Sequence, residues 1–262
     1  MDNGIDKIIL IILGFLVIIS SFCGILLPNF YSFRNNSITT YEITGQDLIS
    51  LIVGLLLILT SFTKIKYKLV LIIGFLIYIL YTYLYFTFGL ICSNIFAIYL
   101  AIVSLSFFCL INTLLSIFTS SNNRPNVYVN RSISIYIFII VLIVGFIDLK
   151  DVLIKTVFSN NGFDSKSVFY ILDLAFLFPS MIYAAISNYK MKYFGNILIG
   201  AFLVKTITLM PALIISDTLH YLFLGSFVDL SFDIIAFCIM LSAVVMFIIF
   251  CREKKRLTTA ST

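Results

Sequence analysis

Fifty consecutive residues, Leu69 to Phe118, contain no Asp, Glu, Lys or Arg. As one helix they would extend about 75 Å at 1.5 Å per residue, against a bilayer core of about 30 Å. The run must therefore fold back on itself, and Gly89, Ser93 and Asn94 supply its only polar break. Two membrane-spanning helices in hairpin arrangement are the simplest solution. The rest of the chain has the same character. With 61% hydrophobic and 11% charged residues and a mean hydropathy of +1.14, it departs from soluble globular chains, of which roughly a quarter of residues are charged. Disorder requires the opposite balance of low hydrophobicity and high charge.

Uninterrupted apolar stretches predict eight spans, near residues 8–27, 47–63, 69–90, 92–118, 133–148, 168–188, 195–216 and 230–251. Eight spans of about 20 residues use roughly 160 and leave room only for connections. The expected fold is an all-α polytopic transmembrane bundle, one integral membrane domain over residues 1–262. Two connections look like more than linkers. Residues 149–158 place Leu149, Val152, Leu153 and Val157 on one helical face, the pattern of a short helix lying in the interface. Residues 217–229 are too apolar for a solvated loop and are expected to dip into the outer interface or cover a cavity mouth.

Lys and Arg set the orientation of such a chain. With both termini in the cytoplasm, twelve fall on the inner side: Lys7, Lys64, Lys66, Lys68, Arg124, Arg131, Lys190, Lys192, Arg252, Lys254, Lys255 and Arg256. Four fall outside (Arg34, Lys150, Lys155 and Lys166), and Lys205 lies within a span. The formal net charge of +5 is thus an orientation signal. Spread one to four per inner segment, these charges make no nucleic-acid footprint. The first span reads as an anchor: Asp2 and Asp6 flank its start and no small-residue cleavage site follows.

The chemistry is bounded mainly by what is missing from the sequence. One histidine, His220, cannot provide the paired axial ligands of a membrane b-type haem. No metal-binding cluster, phosphate loop or dinucleotide fingerprint occurs, so no cofactor or metal is expected and no catalytic residue is assigned. Cys23, Cys92, Cys109, Cys238 and Cys251 form no C-x-x-C pair and read as small core hydrophobes. His220 reads as an interfacial histidine with its polar edge in water.

Three charges fall within predicted spans: Asp173, Lys205 and Asp233. Each costs about 2.5–3.5 kcal/mol at a span centre, where an apolar residue returns only about 0.3–0.6. Such residues face the bundle interior or a wet cavity. Pro179 and Pro211 each free a carbonyl near one of these charges, at Ala175 and Ile207, and broken backbone beside intramembrane charge is a feature of carrier sites. An Asp173–Lys205 ion pair is the bland alternative, although both side chains lean toward their helix N-termini and hence apart. Tyr78, Tyr81, Thr82 and Tyr85 share one face of the third span, as a polar wall or as interhelical hydrogen-bonding groups. Asp47, Asp217, Asp229 and Asp233 lie at or near the outer span ends, where a carboxylate mouth would attract cations.

The string Tyr41-Glu42-Ile43-Thr44-Gly45-Gln46-Asp47-Leu48 resembles the start of a span in a family of bacterial multi-pass membrane proteins of similar length. The Tyr-rich third span followed by Asn94-Ile95-Phe96-Ala97-Ile98-Tyr99, the Asp173…Pro179 spacing and the Lys205-Thr206 pair are similar to the same family. Leu55-Leu56 departs from it, standing where a proline would be expected. The resemblance implies the eight-span layout and singles out Asp47, Asp173 and Lys205; it assigns no chemistry. Three functions fit: a carrier or channel-like protein for a small solute or ion, cation- or proton-coupled; a non-catalytic accessory or assembly subunit; and an enzyme on a lipid-linked substrate using outer carboxylates such as Asp47 and Asp217. The carrier ranks first and an enzyme last. The expected setting is a bacterial cytoplasmic membrane, with the lipid bilayer, and in the second reading other membrane subunits, as partners.

Overall fold

The computed structural model describes residues 4–26, 37–65, 67–89, 96–121, 131–154, 167–224 and 230–259. All regular structure among them is helical, and eight segments are long and apolar enough to cross a membrane. The protein is a multi-pass integral membrane protein. Its helices are α1 (Gly4–Leu26), α2 (Ser37–Phe62), α3 (Lys68–Gly89), α4 (Phe96–Ser121), α5 (Arg131–Leu153), α6 (Ser167–Leu172), α7 (Phe178–Tyr189), α8 (Tyr193–Leu224) and α9 (Leu230–Thr259). A π-helical turn, Asp173–Leu177, joins α6 to α7, so the three make one span. The uncharged run divides between Gly89 and Phe96, where the chain lies outside the described residues.

Helices α3 and α8 form the centre. Of their spanning stretches 72% and 67% of residues are buried, against 17% in α9 and 22% in α4 and α5. Helix α2 packs on α8 and α3, α1 on α2 and α4, α7 on α8 and α5, and α9 on α8. Lipid tails are as apolar as leucine, so burial of apolar area does not by itself drive these contacts; close packing and interhelical hydrogen bonds must. Small residues provide the close approaches. At Gly74, a Cβ would come within 2.6 Å of Val204 Cβ and 2.9 Å of the Ala201 carbonyl. The crossing of α1 and α2 is equally tight, with a Cβ at Gly14 meeting the Gly54 carbonyl at 3.0 Å. Around α3 an aromatic cluster fills the space toward α4: Tyr83, Phe86 and Tyr99 lie 5.4–5.6 Å apart at their ring centroids in edge or tilted contact.

Two helices run farther than the sequence suggests. Helix α5 continues past Asp148 to Leu153, so residues 149–153 belong to a span and not to a separate interfacial helix; residues 155–158 lie outside the described residues. No Gly or Pro stands between Gly145 and Leu153 to stop it. Likewise α8 passes through Asp217 and His220 to Leu224. The first half of the segment expected to dip into the interface, residues 217–224, is a helical extension; residues 225–229 lie outside the described residues.

Candidate functional site

Each element of the site follows from helix geometry. Gly74 brings α3 against Ala201 and Val204 of α8. The two helices run in the same direction through the bundle, since Val70 meets Gly200 and Gly74 meets Val204. One turn beyond Gly74 and Ala201, Lys205 therefore comes level with the Tyr78–Tyr81 stretch. Lys205 is 4% exposed, and its ammonium sits over the Tyr81 ring, 4.3 Å from the centroid. A cation over an aromatic face gains about 0.5–2 kcal/mol, most when desolvated.

The carboxylates come from the other side. Asp173 opens the π-helical turn, in which the Phe178 N–H donates to the Asp173 carbonyl. Pro179, one residue on, explains the wide turn: it has no N–H to give, and its ring would press on the carbonyl four residues back in a regular α-helix. Asp148 reaches the same region from α5, about 8 Å in from the end of that helix at Leu153, and Asp173 lies about 8 Å from the start of its span at Val168. Equal depth places them side by side. Lys205 is within electrostatic reach of both, Asp173 adjoins the Tyr81 hydroxyl, and Asp148 is in turn reached by Asp151, whose Oδ2 accepts from the Tyr170 hydroxyl at 3.3 Å.

Two features separate this cluster from a structural salt bridge. No carboxylate lies within the 4 Å of an ion pair to Lys205 among the described residues. Asp173 Oδ1 and Asp148 Oδ2 are buried and accept no hydrogen bond. A carboxylate that holds helices together is ordinarily saturated with donors, because an orphaned buried oxygen costs about 1–3 kcal/mol or more when charged. This group of charges is close enough to interact and too loose to be locked. Its wall is aromatic: Tyr85 stacks on Phe169 with centroids 3.7 Å apart, and Tyr81 contacts the same ring.

The structure thus brings Asp173, Lys205, Tyr81 and Tyr85 together and places the other residues singled out from the sequence elsewhere. Tyr78, three residues before Tyr81, turns to α2, where its hydroxyl meets Ser50 Oγ at 3.3 Å and donates to the Gln46 carbonyl. Asp47, 1% exposed, acts on Tyr78 and Tyr83. Asp217 on α8 and Asp233 on α9 are half-buried, and neither is among the charges that act on Lys205; Asp229 lies outside the described residues. Asp148 is not singled out by the sequence, because hydropathy ends the fifth span at that residue. The unbroken helical pattern through Leu153 was the signal that places it inside. Tyr83, whose hydroxyl touches Ser20 and Ser21 of α1, was also passed over, since it falls off the Tyr78–Tyr81–Tyr85 face.

These features define a polytopic membrane protein with a buried lysine–carboxylate cluster at a π-helical break. No protein-family model, curated protein or solved structure matches the chain.

Proposed function

We propose that the protein is a membrane carrier for a small cationic or proton-coupled solute, with Lys205, Asp173 and Asp148 as its charge-exchanging centre. One observation carries this reading: a buried ammonium with two carboxylates in reach and none locked to it, each carboxylate keeping one buried oxygen without a donor. A carrier needs intramembrane charges that can change partner during transport, and such charges mark ion and proton pathways. The succession Asp151, Asp148, Asp173 leads from the end of α5 toward Lys205 and suits stepwise passage of a proton or small cation.

In this reading both termini are cytoplasmic, following the bias of twelve Lys and Arg to four, and the Asp151 end of the cluster opens to the outside of a bacterial cytoplasmic membrane. A reporter inserted between Asn160 and Asn161 is then active only outside, and one fused after Arg256 only inside. Transport itself is tested in proteoliposomes enclosing a pH-sensitive dye, screened against a panel of small organic and inorganic cations. Wild-type protein should give proton movement evoked by at least one member of the panel, and Lys205→Met protein none. Equal traces from the two proteins across the panel would reject the carrier.

A further inference from the structure

One group in the Lys205 cluster occupies the place of a ligand: the ammonium of Lys205 itself. We infer that the solute of this site is a small alkylammonium ion, bound over the Tyr81 ring where Lys205 Nζ lies, with Lys205 as its tethered competitor. On the carrier reading, on which this rests, that ion is the transported cation. Lys205 Nζ stands 4.3 Å from the Tyr81 centroid, on a residue only 4% exposed. It is a primary ammonium at the end of a four-carbon stem, so the position already accepts a group of this chemistry. Phe169 continues the aromatic wall, 6.2 Å from Tyr81 and stacked on Tyr85 at 3.7 Å. Asp173 and Asp148 supply the opposite charge, and each keeps a buried oxygen without a hydrogen-bond partner.

The groups present select among cations. Hard metal ions such as calcium and magnesium take about six or more oxygen ligands. Here the two free oxygens come from separate carboxylates, and the rest of the wall is ring carbon. Aromatic faces bind organic ammonium groups through the ring quadrupole, and the contact is strongest where water is excluded. Two ammonium groups cannot share one ring face, so entry of the solute displaces that of Lys205, whose stem is flexible. The carboxylates then face one cation before and after the exchange, and neither is left as an uncompensated buried charge.

The test is thermal unfolding of the purified full-length protein, titrated with methylammonium chloride against sodium chloride at constant ionic strength, with methanol as the uncharged control. Apparent affinities follow from the rise in unfolding temperature with concentration. Methylammonium should stabilise the wild type, and neither control should. Lys205→Met removes the competitor and leaves a flexible side chain one atom shorter. Its affinity for methylammonium should rise about tenfold or more, because a site vacant in a tenth of molecules or fewer binds that much more weakly than one always vacant. Tyr81→Leu should lower the affinity about 2- to 30-fold, the worth of a cation–π contact, and Tyr81→Phe, which keeps the ring, should retain it. If Tyr81→Leu does not fold, Lys205→Met carries the comparison, since a merely structural lysine would leave the affinity unchanged. Stabilisation that sodium or methanol reproduces, or an affinity that fails to rise in Lys205→Met, overturns the alkylammonium site. Proton movement evoked by inorganic cations, with no methylammonium binding, would reject this solute and keep the carrier. Methylammonium binding as expected, with no evoked proton movement, would reject the carrier and keep the site.

Discussion

The two flanks of α3 are built from similar residues and reach different ends. Toward α1, Tyr83 is fully buried and its hydroxyl is held by Ser20 at 2.5 Å, with Ser21 at 3.3 Å, amid an edge-to-face aromatic cluster. Toward α8 and the π-helical turn, Tyr81 offers its ring to an ammonium and its hydroxyl to a carboxylate, and the charges around it are incompletely satisfied. On the carrier reading, the first arrangement holds helices together and the second lets charges change partner. Tyrosines two residues apart on one helix thus serve as a fastener and as a site wall, decided by the helix each one meets.

That contrast can be broken first at its common support. Gly74→Leu places a side chain where even a Cβ lies 2.6 Å from Val204 Cβ and 2.9 Å from the Ala201 carbonyl. The α3–α8 crossing must open, and the variant should give little or no monodisperse protein on size-exclusion chromatography. Normal yield with a normal unfolding temperature would mean that the two central helices are not packed as described.

The next largest effect separates function from stability at Lys205. Lys205→Met nearly conserves volume and removes the charge; the expected loss is the cation–π contact, at most about 2 kcal/mol. A locked buried ion pair would instead lose about 3–5 kcal/mol on removal of one partner, with much of it restored when Asp173→Asn is added. Chemical denaturation in detergent distinguishes the two. A small destabilisation, unrescued in the double variant, supports the loose cluster, and strong destabilisation with rescue supports a structural bridge.

The smallest effects grade the two tyrosines. Interhelical hydrogen bonds in membranes average about 0.6 kcal/mol and reach about 1.7. Tyr83→Phe should sit near the upper value because its hydroxyl meets both Ser20 and Ser21 inside a packed aromatic cluster, and Tyr78→Phe near the average, with one serine and one carbonyl as partners. Equal losses would mean that the aromatic cluster around Tyr83 adds nothing to its hydrogen bonds.

Much of the architecture is legible in the chain, because a span needs only length and hydropathy, and eight such helices are present. The order of burial is not legible. Helix α9 has the higher mean hydropathy, 3.0 against 2.1 for α8, yet 17% of it is buried against 67% of α8. In lipid the most apolar helix belongs outside, and the core goes to helices bearing small residues, hydroxyls or charge, such as Gly74, Tyr78, Thr82 and Lys205. For the site, Lys205 and Asp173 stand out by their cost in a bilayer. Asp148 does not, since its status depends on where a helix ends, and hydropathy locates ends poorly. The division of Tyr78 from Tyr81 is likewise hidden: both belong to one face in a helical projection, and only the crossing at Gly74 assigns them different neighbours.

The central claim is that the Lys205 flank opens to water during the protein's working cycle and the Tyr83 flank does not. It is tested by thiol accessibility, with the five native cysteines replaced and Lys205→Cys or Tyr83→Cys introduced singly. Each variant is reconstituted in vesicles and treated with a small membrane-impermeant methanethiosulfonate. The account predicts modification of Lys205→Cys and protection of Tyr83→Cys. Lys205→Cys protein as inert as Tyr83→Cys protein, both folded, would contradict it.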